Sequence, residues 1–168
     1  MRELQPLPLG VSDFHKLRGS GKIYVDKTEL IYQLVATYEK LFLARPRRFG
    51  KSLLVSTFES LFKYGLKDFK GLAIEKLWKE EKTYNVVRLD FSGIKNFDSI
   101  EDFKTKLTSL LAASFMPFGF VYKEGTVVNL MDQLSIWFAS LASNSLVLLI
   151  DSLFLPSFNI IIFFPTVS

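Results

Sequence analysis

One stretch constrains this chain more than any other: Leu41-Phe42-Leu43-Ala44-Arg45-Pro46-Arg47-Arg48-Phe49-Gly50-Lys51-Ser52. Leu41 to Ala44 is a short apolar run suited to a strand buried on both faces. Leu53, Leu54, Phe58, Leu61 and Phe62 then recur at helical spacing until Gly65, a C-terminal stop. A strand, a basic loop and a helix in that order put the helix N-terminus at Lys51, where its free N–H groups and dipole attract anions. A phosphate-cradling loop needs a tight turn with inward N–H groups, a Lys for the β- and γ-phosphates and a hydroxyl for Mg²⁺. Gly50, Lys51 and Ser52 stand in that order. The pattern G-x-x-x-x-G-K-[ST] also asks for a glycine where this chain has Arg45. An ordinary basic turn is therefore the competing reading. Arg45, Arg47 and Arg48 suit bidentate clamping of a polyanion, or equally a solvated surface paired with nearby carboxylates.

With 168 residues the chain can bury one sizeable core and is too short for two ordinary domains. It has no cysteine, which excludes disulfides and thiolate metal sites and is compatible with an intracellular, cytoplasmic home. The single histidine, His15, lies far from any nucleophile-like motif and reads as a surface residue. A net charge of +4 fits a phosphate ligand and leaves nucleic acid open. Met1 to Gly10 lacks the apolar core of a signal peptide. From Thr126 onward the only charges are Asp132 and Asp151, and Leu146 to Pro165 is long enough for a membrane span. Asp151, Pro156, Asn159 and the β-branched Ile160 to Ile162 favour strands and a loop there, so a membrane association is not expected.

Along the chain, Ile23-Tyr24-Val25 reads as a short strand. Asp26 and Glu29 have the spacing of a helix capping box, followed by a face of Leu30, Ile31, Leu34, Val35 and Tyr38. Val86 to Phe91 reads as a sheet strand. Asp98 and Glu101 repeat the capping spacing ahead of Ile100, Phe103, Leu107, Leu110 and Leu111, and a further helix around Val128 to Ala142 aligns Leu130, Leu134, Trp137, Phe138 and Leu141. These stripes are expected to be core. Leu146-Val147-Leu148-Leu149-Ile150-Asp151 is an apolar strand ending in an aspartate. Downstream of a phosphate loop, that is the form of a Walker-B strand, whose last residue emerges at the phosphate edge to hold Mg²⁺.

Leu7-Pro8-Leu9-Gly10-Val11-Ser12-Asp13-Phe14, Tyr24-Val25-Asp26-Lys27-Thr28-Glu29-Leu30-Ile31, Arg45 to Leu53 and Leu149-Ile150-Asp151 together resemble the N-terminal part of the AAA-ATPase-like family. In that family the loop itself reads RPRRFGKS, so Arg45 is a family trait. The resemblance implies an α/β fold of the AAA-type P-loop NTPases, with a mostly parallel sheet flanked by helices. It also implies ATP and Mg²⁺ as ligands and a homo-oligomer as an assembly. It assigns the nucleotide to Arg45, Arg48, Phe49, Gly50, Lys51, Ser52 and Leu53, and the metal to Ser52 and Asp151. Many members carry a C-terminal nuclease-like domain of the restriction-endonuclease type, and nothing in this chain matches one.

The likeness runs over residues 6–151, an incomplete domain, and 152–168 reads as an apolar tail outside the family pattern. After Asp151 the family continues with a glutamate that polarises the attacking water, whereas Ser152 stands here, so ATP binding is expected with little hydrolysis. In AAA-type sheets a later strand inserts between the Walker-B strand and the P-loop strand. Ile160 to Phe164 suits that position by composition. The alternative, which the abrupt loss of charge and motif favours, is a truncated or out-of-frame tail exposing apolar surface. Two other functions compete with the ATP reading: a nucleic-acid-binding module built on Arg45, Arg47 and Arg48, and a non-functional fragment.

Overall fold

The computed structural model describes residues 5–44, 50–94, 96–124, 126–142 and 145–151, and the backbone of 159–163. Helices and strands alternate as α1 (Phe14–Gly19), α2 (Thr28–Thr37), β1 (Lys40–Ala44), α3 (Lys51–Tyr64), α4 (Ile74–Leu77), β2 (Asn85–Asp90), α5 (Ile100–Phe115), α6 (Val127–Ser140), β3 (Leu146–Asp151) and β4 (Asn159–Phe163). The result is a mixed α/β fold around one four-stranded sheet in the order β1-β4-β3-β2.

β2 and β3 pair in parallel, joined through α5 and α6, whereas β4 is antiparallel to both β1 and β3. The mostly parallel sheet expected from sequence is thus only partly realised: β1, β2 and β3 share a direction and β4 opposes them. The connection explains why. Residues 152–158 alone join β3 to β4, short of the crossover of about a dozen residues that a parallel neighbour needs. The backbone of 159–163 therefore lies between β1 and β3 as a sheet strand, which replaces the favoured expectation of a free apolar tail over those residues.

Side chains alternate across the sheet as the two-residue period requires. Val86, Val147 and Leu149 point to a core shared with Phe58, Leu61 and Phe62 of α3, onto which α1, α2 and α4 also pack. Val87 and Leu89 point to the other face, where Leu111 and Phe115 of α5 meet Leu130 and Leu134 of α6. The helical stripes are narrower than the sequence suggests. In α2, α5 and α6 the stripe reduces mainly to an i, i+4 pair, namely Ile31 with Val35, Leu111 with Phe115 and Leu130 with Leu134, while Leu30, Tyr38, Ile100 and Phe138 stay exposed. β1 is likewise buried on one face: Leu41 is in the core, but Phe42 is 56 % exposed because β1 is the edge of the described sheet.

Three local expectations shift. Ile23-Tyr24-Val25 pairs with no strand among the described residues; its Ile23 N–H donates to the Pro6 carbonyl at 3.0 Å. Asp26 is not the α2 N-cap, which is Lys27. Its Oδ1 accepts from the Thr28 N–H and hydroxyl, its Oδ2 accepts from the Ala73 N–H at 2.7 Å, and Thr28 Oγ1 accepts from the Ile74 N–H. Asp26 and Thr28 together stitch the start of α2 to α4. At α5 the cap is Ser99, one residue later than expected: its hydroxyl accepts from the Asp102 N–H, and Asp102 accepts in return from the Asp98 N–H. Ser99 wins because its short hydroxyl reaches the third amide of the helix, and the reciprocal carboxylate then falls at Asp102 rather than Glu101.

Candidate functional site

α3 begins where the sequence places it, directly after a residue in the left-handed conformation. Gly50 has φ +71° and ψ +23° and its carbonyl accepts from the Leu54 N–H at 3.0 Å. A side chain would strain that backbone, so glycine is the residue that lets the chain turn into the helix without penalty. Lys51 is the first helical residue and only 8 % exposed. It sits at the loop–helix junction where the sequence places it, and it is buried there. Ser52 and Leu53 follow in the first turn, both half-buried. The opening amides of a helix have no intrahelical acceptors. They therefore form, with Lys51, a positive helix end. Arg45, Arg48 and Phe49, expected to join them, lie outside the described residues, as do Pro46 and Arg47 and hence the whole arginine cluster invoked for nucleic acid.

Beside Gly50 the structure holds a cavity of about 460 Å³. Leu53, Leu54 and Thr57 of α3 form one wall, Leu30, Ile31 and Leu34 of α2 a second, and Ile23, Tyr24 and Val25 a third. The Ile23–Val25 segment thus serves as cavity wall rather than as a strand. Burial pushes the Tyr24 hydroxyl up from its ordinary pKa, partly offset by its hydrogen bond with Thr57, so Tyr24 presents a neutral, largely apolar surface. Leu7 and Pro8 close the cavity, and the turn that follows them is fixed to α3: Ser56 Oγ accepts from the Phe14 N–H at 2.8 Å and donates to the Ser12 carbonyl at 3.0 Å. A half-open, largely apolar cleft of this size suits a small organic ligand.

Asp151 ends β3, as the sequence indicated, and is almost fully buried. Along β3 it falls on the same face as Val147 and Leu149, the face covered by α3. Arg88 of β2 donates from Nη2 to Asp151 Oδ2 at 3.0 Å, and its Nη1 lies 3.5 Å from Glu59 Oε2 on α3. Sequence reasoning missed Arg88 and Glu59. The signal was present, since Arg88 is a charge inside the apolar run Val86-Val87-Arg88-Leu89, a position that demands a partner. Ser152 lies outside the described residues. His15 is exposed on α1 and pairs through Nδ1 with Asp68 at 2.8 Å, as its reading as a surface residue implied. Among the described residues, no three His, Asp or Glu side chains converge as a metal site, and no helix is long and apolar enough to cross a membrane.

Comparison with known proteins places these features in context. The family model described as AAA-ATPase-like, "Predicted AAA-ATPase", matches residues 8–161. That span takes in the cavity walls, α3 and β3, and runs past Asp151 into β4. An uncharacterized protein in the vnfD 5′ region of Azotobacter chroococcum mcd 1 is 37 % identical over 114 residues, which is 67 % of this chain and 22 % of that protein. The chain thus spans about a fifth of the length of this curated relative. No solved structure matches.

Proposed function

The chain belongs to the AAA-ATPase-like family, and from that premise we propose that it binds ATP in a P-loop site at the N-terminus of α3. The observation that carries the reading is a left-handed Gly50 that lines an apolar cavity and is followed directly by a buried Lys51. The adenine base occupies the cavity between Tyr24 and Leu53, and the phosphates lie over the first amides of α3 with Lys51 as their cation. Arg45, Arg48 and Phe49 belong to the same loop and are assigned to the phosphates with it.

The donor set suits Mg²⁺. Ser52 and Asp151 offer a hydroxyl and a carboxylate, and no richer cluster of acidic ligands exists among the described residues. Mg²⁺ is commonly held by one or two protein oxygens plus substrate phosphates rather than by an all-protein cage. When bound, the ion neutralises charge on the β- and γ-phosphates. The residues of the chain orient the nucleotide and exclude water from the base.

Turnover is a separate matter. With Ser152 in place of a glutamate, the residue that follows Asp151 in sequence is not a strong base. Orienting or deprotonating the attacking water is worth about 10²–10⁴-fold, so the chain is assigned as an ATP-binding domain with little hydrolysis. Photolabelling with 8-azido-ATP tests the site. Label that unmodified ATP protects is expected in the peptides carrying Ile23 to Leu34 or Leu53 to Thr57. Label confined to other regions contradicts the assignment.

A further inference from the structure

Arg88 is set inside an apolar strand and reaches two carboxylates of different character. Asp151 is 3 % exposed at its side chain, against 28 % for Glu59. In register, Arg88 stands opposite Leu149, two residues before Asp151, so the guanidinium reaches Asp151 from the body of the sheet. Glu59 lies two turns along α3 from Lys51, on the same side of the sheet. One cation therefore bridges a buried acid at the strand end and a half-exposed acid on the helix.

A carboxylate as buried as Asp151 needs compensating partners. Arg88 is one such partner. If Asp151 also serves Mg²⁺, two cations compete for one carboxylate in a poorly solvated place, and they repel each other. Glu59 offers the guanidinium a second acceptor without leaving the ion-pair cluster. We propose that Arg88 is a positioning residue that exchanges carboxylates: it bridges Asp151 and Glu59 in the structure and is left on Glu59 alone when Asp151 turns to Mg²⁺. The inference rests on the ATP reading above and adds to it a control. The balance between Asp151 and Glu59 for Arg88 sets how much Mg²⁺ the site needs.

Equilibrium binding of ATP to the full chain, titrated with Mg²⁺ at fixed ATP, tests the exchange. In Arg88→Met the competing cation is gone, and the Mg²⁺ midpoint should fall about tenfold. In Glu59→Gln the second carboxylate is gone, Arg88 stays on Asp151, and the midpoint should rise about threefold or more. Thermal unfolding supplies a second readout: Arg88→Met should lower Tm without Mg²⁺ and ATP, and regain most of that loss when both are present. A merely structural ion pair would lower the stability of both variants and leave both midpoints at the wild-type value, which overturns the exchange. If Arg88→Met does not fold, Glu59→Gln decides alone; a raised midpoint supports the exchange and an unchanged or lowered one overturns it. A wild-type chain showing no Mg²⁺-dependent ATP binding overturns the ATP reading and this inference with it. Normal wild-type dependence with unmoved midpoints overturns the exchange only.

Discussion

The Phe14 N–H donates to Ser56 Oγ at 2.8 Å, across 42 positions of sequence, and so fixes the N-terminal segment to the middle of α3. Ser56 returns the connection by donating to the Ser12 carbonyl. A single small hydroxyl thus joins the helix that begins at Lys51 to the segment that closes the cavity beside it.

Ser56→Ala removes that joint and leaves the buried Phe14 N–H without an acceptor. An unsatisfied buried donor costs about 1–3 kcal/mol, and denaturant unfolding should show a loss of that order. ATP affinity should fall as well, because the Leu7–Pro8 wall is no longer held against α3. Full stability in Ser56→Ala would mean that the segment is fixed by its apolar contacts alone.

Asp26 gives a pH-dependent expectation. Burial, the largest single influence, pushes its carboxyl up, but the hydrogen bonds from Thr28 and Ala73, aided by Arg18, outweigh it and leave the pKa below its ordinary 3.8. A carboxyl whose folded value is depressed contributes stability that is present above its unfolded pKa and disappears as pH falls through the folded one. Asp26→Asn should therefore destabilise the protein at neutral pH, and the gap to wild type should close as the solution is acidified below 3.8. A gap that persists unchanged in acid would show that the amide's altered hydrogen bonding, not the carboxylate charge, is what matters.

Removing 159–168 should unfold the chain. β4 supplies the backbone partners of both β1 and β3, with Ile161 registered against Phe42 on one side and Ile150 on the other. Without it the facing N–H and C=O groups of two strands lose their acceptors and donors at once. Circular dichroism and a cooperative unfolding transition check this. A truncated chain that stays folded and soluble would restore the reading of this segment as a dispensable tail.

The contrast between β4 and α3 shows where the sequence was informative. The β1–α3 unit is written in local signals: an apolar run, a glycine able to take positive φ, and a helical stripe stopped by Gly65. Asp151 was legible for the same reason, as the polar end of an apolar strand. β4 was harder because its role depends on which strands it joins, a non-local fact, and its composition fits a buried strand and an aggregating tail equally. Arg88 and Glu59 are far apart in sequence, and their pairing appears only once β2 is laid beside β3 and under α3. Ile23 to Val25 has strand-like residues, but the Ile23 N–H goes to the Pro6 carbonyl and the segment lines the cavity instead.

Lys51, the buried first residue of α3, is assigned to the phosphates of ATP. Calorimetric titration of ATP with Mg²⁺ into wild type and Lys51→Ala tests that assignment most directly, with unfolding curves for both to confirm that the variant remains folded. Wild type should bind at a single site. Lys51→Ala, folded, should lose measurable binding, because the cation that meets the β- and γ-phosphates is gone. Equal ATP affinity in the two proteins would remove Lys51 from the phosphate site.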